Sequence, residues 1–133
     1  MEAKRWLKQA ERDLKAAESL LDNGFYEDAC FYSQQSSEKA LKSLLYAKGY
    51  RAIITHSTKE LFRMCKKLIT GIKDLEDETR ELDRHYIPPR YPNAFPSGAP
   101  YEYYNKEDAE KCINYAESIL NEVKKLMKNL ETL

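Results

Sequence analysis

The segment Tyr26–Lys48 reads YEDACFYSQQSSEKALKSLLYAK. Its inward positions Ala29, Ser33, Ser36, Ala40, Leu44 and Ala47 step by three and four, which is the period of an amphipathic helix. Most of that stripe is small, and small side chains let a neighbouring helix come close. The spacing therefore predicts a central, heavily buried helix inside an all-α domain.

Working outward, Leu7, Ala10, Leu14, Ala17 and Leu21 mark a preceding helix from about Glu2, closed by Asn23-Gly24, where glycine can take the left-handed C-cap conformation. Gly49 stops the central helix. Ser57-Thr-Lys-Glu60 matches a capping box and opens a third helix with Leu61, Cys65 and Leu68 inside, ended by Gly71. A fourth is predicted from about Lys73 to Tyr86, with Ile72, Leu75, Thr79, Leu82 and Tyr86 on one face. Its acidic start suits the positive end of a helix, and Pro88-Pro89 ends it. The last helix follows Asn105, an N-cap with Asp108 completing the box, and its stripe runs through Ala109, Cys112, Ala116, Ile119, Val123, Leu126 and Leu130. Short connections make consecutive helices antiparallel. The expectation is an up-and-down bundle of four to five helices forming a single domain over residues 1–133.

One segment breaks the pattern. His85–Asn105, HYIPPRYPNAFPSGAPYEYYN, holds all five prolines and five of the ten tyrosines. Its loop of about 17 residues exceeds the usual helix–helix connection of about 2–8 residues. Proline-stiffened, aromatic loops are more often ordered and functional than mere linkers. The expectation is an ordered lid that packs its tyrosines on the bundle, with or without a ligand or partner site beneath it.

Composition narrows the class. No run of apolar residues is long enough for a membrane span, and the start MEAKRWLKQAERDLK has no apolar core of a secretory signal. Cys30, Cys65 and Cys112 are far apart and read as small buried hydrophobes in a reducing cytoplasm. The absence of any CxxC or HxxxH pair argues against a metal site, and no cofactor is expected. Charge sums to zero but is uneven. Lys39–Lys67 carries eight basic residues against Glu60, and Asp74–Asp83 carries six acids against Arg80. These segments either neutralise each other in the fold or present a basic surface beside an acidic one.

Four motifs together resemble one family. They are W-L-x-x-A-E-R-D-L-x-x-A in the first helix, Y-E-D-A-C-F-Y-S-Q-Q-S-S-E-K-A-L-K-S-L-L in the second, Y-I-P-P-R-Y-P-N-A-F-P in the loop and A-E-x-x-I-x-Y-A-E-x-I-L in the last helix. The chain resembles the HEPN domain over about Trp6 to Leu126. The resemblance implies a four- or five-helix bundle that commonly forms homodimers. It also implies nucleotide-related ligand binding, partnership with a minimal nucleotidyltransferase in a toxin–antitoxin-like pair, or metal-independent cleavage of RNA through an Arg-x(4–6)-His motif.

Arg80-Glu-Leu-Asp-Arg-His85 has that spacing, with His85 for proton transfer and Arg80 for phosphate charge. Five residues of regular helix rotate by about 500°, so the two side chains diverge by about 140° unless the helix end unwinds. Arg51 and His56 repeat the spacing, but in the connection before the third helix. The ligand-binding candidates are Gln35, Glu38, Lys39, Lys42, Arg90 and Tyr91. Gln34, Gln35 and Glu38 form a hydrogen-bonded seam or touch a nucleotide or dimer mate. Lys39 and Lys42 are a solvated face or a phosphate site. Arg90, rigid between Pro89 and Tyr91, either pairs with phosphate and stacks on a base or pins the loop to a carboxylate such as Glu38. With no complete catalytic set in view, the leading expectation is a dimeric, cytoplasmic binding module with little or no ribonuclease activity. The alternatives are the ribonuclease and a purely structural interaction module.

Overall fold

In the computed structural model, which describes residues 2–131, five α-helices follow one another: α1 Glu2–Asp22, α2 Tyr26–Ala47, α3 Thr58–Leu68, α4 Glu76–Asp83 and α5 Lys106–Glu131. Two short 3₁₀ turns, Pro92–Ala94 and Pro100–Tyr103, lie between α4 and α5. No strand occurs among the described residues, so the all-α bundle expected from periodicity is the fold. α2 packs against α1, α3, α4 and α5, as its small-residue stripe requires. Ala29, Ser33, Ser36 and Ala40 are fully buried, although Ala47 is exposed. The Ser36 hydroxyl donates to the Ala10 carbonyl of α1 at 2.7 Å, a contact that a larger side chain would hold apart. Ser33, Ser37 and Ser43 return their hydroxyls to α2 carbonyls, so each of these buried hydroxyls is satisfied.

Helix ends show where local chemistry overrides periodicity. The Asn105–Asp108 box forms reciprocally, at 2.8 and 3.0 Å. The Ser57–Glu60 box is half made. Ser57 Oγ accepts from Glu60 N at 3.1 Å, but the Glu60 carboxylate takes the Thr55 hydroxyl, and Ser57 N donates to Thr55 instead. α4 is shorter than the predicted 73–86. Lys73 N donates to the buried Glu122 carboxylate and Asp74 accepts from Glu76 N, so the chain enters the helix only at Glu76. At the other end, Arg84, His85 and Tyr86 bond back three residues, a tightened 3₁₀-like finish.

Asp83, the last residue of α4, sits on the N-terminus of α3. Its carboxylate accepts from Ser57 Oγ at 2.7 Å, Thr58 N at 2.7 Å and Lys59 N at 3.2 Å, and lies 2.6 Å from the Thr58 hydroxyl. This satisfies orphan amides and places a negative charge on the positive end of a helix. The oppositely charged segments also meet here, Arg63 of α3 donating twice to Glu76 of α4.

A second charged feature lies inside α2. The side chains of Glu38 and Lys42 are 5% and 4% exposed and 2.9 Å apart. Lys42 also lies over the Trp6 ring, 5.4 Å from its centroid, and Trp6 stacks on Tyr46. Lys42 is therefore a buried ion-pair partner and not part of a solvated face.

The loop packs on α2 through the second 3₁₀ turn. Pro89 and Pro100 are buried, while Tyr91, Tyr101 and Tyr103 are exposed and Tyr86 and Tyr104 half-buried. The lid expectation thus fails for three of its five tyrosines; prolines are its anchors. Phe95 and Tyr103 stack within the loop at 4.1 Å, and Tyr103 donates to the Ser97 carbonyl.

Two stability measurements test these interactions. Asp83→Ala should cost about 2 kcal/mol or more in urea unfolding, since charge-assisted hydrogen bonds are worth about 1.5–3 kcal/mol; a change below about 0.5 kcal/mol would show the clamp to be incidental. Lys42→Met should cost about 3–5 kcal/mol by stranding a buried carboxylate. Glu38→Gln combined with Lys42→Met should cost less than Lys42→Met alone, and a larger loss in the double variant would contradict the ion-pair account.

Candidate functional site

A stripe on α2, stepping through residues 31, 35, 38 and 42, organises one face of the molecule. Glu38 Oε2 accepts from Lys42 and lies 3.0 Å from His56 Nδ1. Gln34 Nε2 donates to the His56 carbonyl at 3.0 Å, so α2 holds the segment before α3 by backbone and ring together. Gln35 bridges Gln34 and Glu38 and approaches Lys39. Lys39 pairs with the buried Asp13 of α1 at 2.6 Å. A cleft of about 370 Å³ lined by Glu2, Arg5, Trp6, Gln9 and Lys39 opens beside that pair.

The other end of the face is aromatic. His56 stacks on Tyr86 with centroids 5.4 Å apart, and Tyr86 stacks in turn near Phe31. The Arg90 guanidinium lies 4.6 Å from the Phe31 centroid, 5.0 Å from Tyr86 and 5.1 Å from Tyr91. Its Nε donates to the Tyr86 carbonyl at 3.2 Å. Among the described residues no carboxylate pairs with it, so Arg90 does not pin the loop to Glu38. Cation–π contacts fix the plane of the guanidinium, and its remaining N–H groups keep the fork that matches phosphate or carboxylate.

Of the six ligand-binding candidates, the fold joins all but engages them unequally. Lys39, Lys42 and Glu38 are committed to ion pairs within the chain. Gln35 is half-buried among them. Arg90 and Tyr91 are exposed. Phe31 belongs to the same face without being a candidate from sequence, and His56, singled out there only for its spacing from Arg51, belongs to it too. The stripe at 31, 35, 38 and 42 is the signal that would have found Phe31. The Arg51 spacing marks His56 but not its place on this face, which the fold of a connecting segment sets.

Arg80 and His85 are not brought together. Arg80 pairs with Asp77 on the outer face of α4, and Arg84 pairs with Glu81 at 3.1 Å. His85 Nδ1 lies 3.0 Å from the Tyr104 hydroxyl, on the wall of a separate cleft of about 400 Å³ formed by Glu81, Arg84, His85, Asp108, Lys111, Cys112 and Tyr115. Behind that cleft, Cys30 of α2 and Cys112 of α5 meet His85, with the donor atoms of all three within 4.8 Å of one another. Hydrogen bonding with Cys30, and then with His85, draws the Cys112 thiol below its ordinary value against burial. The same bond and burial push Cys30 well up. Burial chiefly raises Tyr104 as well, and Cys65, elsewhere in the core, is pushed up to about 12 by burial. Linear spacing argued against any such cluster; three different elements assemble it.

Comparison with known proteins agrees with this architecture. The HEPN domain model matches residues 3–126. A Methanocaldococcus jannaschii protein named "Putative toxin MJ1304" is 34% identical over 138 residues, covering 95% of this chain and 88% of that one. The crystal structure of TT1696 from Thermus thermophilus superposes with a TM-score of 0.85 at 36% identity, covering 94% of this chain and 98% of that one. That of ST0689, described as an archaeal HEPN homologue, gives 0.77 at 43% identity, covering 95% and 98%. The family match spans nearly the whole bundle, and this chain belongs to the HEPN domain family.

Proposed function

We propose that this chain is the HEPN component of a cytoplasmic toxin–antitoxin-type pair and that its working surface is the Arg90 face, which binds a nucleotide-related ligand. One observation carries the reading: an exposed guanidinium, free of any carboxylate among the described residues, is held amid Phe31, Tyr86 and Tyr91. Such an arrangement offers a phosphate its charge and a base a stacking edge. His56, stacked on Tyr86 and set by the buried Glu38, adds a second donor. The similarity to a protein named as a toxin supports the pair, and a minimal nucleotidyltransferase is the partner whose nucleotide chemistry suits this face.

The module works as a symmetric homodimer. Ile54, Tyr101, Ile87 and Tyr103 are side chains with apolar surface left 92%, 65%, 46% and 45% exposed, and a self-complementary interface would cover such surface twice over. The ribonuclease alternative is disfavoured because Arg80 is tied to Asp77, away from His85.

Two measurements test the reading. In calorimetric titrations with ATP and with a short single-stranded RNA in EDTA, Arg90→Ala should weaken binding by about tenfold or more and weaken binding more than it weakens folding. The RNA should remain intact with wild type and with His85→Ala alike. Equal affinity for wild type and Arg90→Ala, or cleavage abolished by His85→Ala, would sink the binding-module reading. Light scattering should give twice the 15.6 kDa chain mass; a clean monomer at high concentration would refute the dimer.

A further inference from the structure

Cys30 and Cys112 are 0% and 3% exposed, and His85 is half-buried on the cleft side. Their three donor atoms lie within 4.8 Å of one another. We propose that Cys30, His85 and Cys112 form a binding site for a soft divalent transition-metal ion, with zinc as the fitting species. Two thiolates and an imidazole are the donor types that zinc selects over hard oxygen sites. Tetrahedral zinc, with bonds of about 2.3 Å to sulfur and about 2.0–2.1 Å to nitrogen, sets its ligand atoms about 3.5–3.8 Å apart. The three donor atoms already lie close to that separation.

Charge and surroundings favour the ion. Two thiolates and a neutral imidazole cancel the charge of Zn²⁺, so the filled site leaves no net charge in the core. Any proton the thiols still hold passes to solvent as the metal enters. With Nε2 as the ligand atom, the Tyr104 hydroxyl at His85 Nδ1 would be the type of outer hydrogen bond that orients metal-bound imidazoles. The cleft of about 400 Å³ reaches His85 and Cys112 from solvent and supplies the fourth position, taken by water. Asp108 lines the same cleft, but its carboxylate already caps α5. Because the three ligands come from α2, α5 and the turn after α4, the ion would tie the loop's beginning to the two central helices. The site is independent of the Arg90 face.

The test is metal uptake by the full chain, purified under reductant, stripped with chelator and dialysed. Wild type and Cys65→Ala should bind a single equivalent of Zn²⁺ in competition with a chromogenic chelator. Their Co²⁺ forms should show near-ultraviolet thiolate-to-cobalt charge-transfer bands. Cys112→Ala and His85→Ala should lose affinity by more than about tenfold and weaken those bands. Should a variant fail to fold, the wild-type cobalt spectrum decides alone: bands of thiolate character support the site and their absence overturns it. Uptake below about a tenth of an equivalent by wild type, or unchanged affinity in the two folded variants, also overturns it.

Discussion

The carboxylate of Asp83 governs more of this molecule than its surface position suggests. A helix of eight residues is too short to be stable by itself, and α4 is that short. By taking donors from Ser57, Thr58 and Lys59, Asp83 locks the end of α4 to the beginning of α3. Both helices then lie against α2. The connecting segment before α3 is fixed at the same point, which brings His56 over Tyr86. The chain leaving α4 starts from a defined position as well, and the direction of the whole proline-rich loop follows.

What leaves that junction is divided between two environments. His85 and Tyr86 are consecutive, yet His85 turns to Tyr104 and the cysteines while Tyr86 turns to His56, Phe31 and Arg90. A regular helix would place neighbours about 100° apart. The 3₁₀-like finish after Asp83 opens that angle by changing the backbone bonds from four-residue to three-residue spacing. The two faces share α2 as a wall. Cys30 looks to one side, and Phe31, Gln35 and Glu38 to the other. The small residues between them let α1 and α5 approach closely enough that neither face is filled by core.

Periodicity was sufficient for the helices because burial of an amphipathic stripe dominates their placement: Leu14, Leu44, Leu61, Leu82 and Ile119 all lie in the core. It was insufficient where a side chain competes with the backbone. Asp74, Glu122 and Thr55 each capture a group that a pattern of apolar residues cannot see, and these three captures shorten α4 and open the Ser57 box. The site followed the same division. Arg90 and Tyr91 were legible because proline fixes their neighbourhood. Lys42 was misread because a lysine on a helix is ordinarily solvated, and only the approach of Trp6 from α1 removes it from water. The cysteine–histidine cluster had no linear spacing to betray it, since its members come from three elements separated by most of the chain.

The position of His85 also bears on what chemistry this bundle can perform. A general base must hold a free ring nitrogen within hydrogen-bond reach of the proton it abstracts, with a cation near the phosphate. His85 has the Tyr104 phenol at Nδ1 and two cysteine sulfurs nearby, and it borders the cleft with Glu81, Arg84 and Lys111. Arg80, the cation at the right spacing in sequence, is held on the outer face of α4 by Asp77. Arg90 has the opposite situation: its fork is open and its plane is fixed by rings, but the imidazole beside it, His56, is bound to a carboxylate that Lys42 already neutralises. Proton transfer and phosphate charge are thus supplied by different faces. The proposed binding role draws only on the Arg90 face, whereas strand cleavage would need groups from both faces at one phosphate.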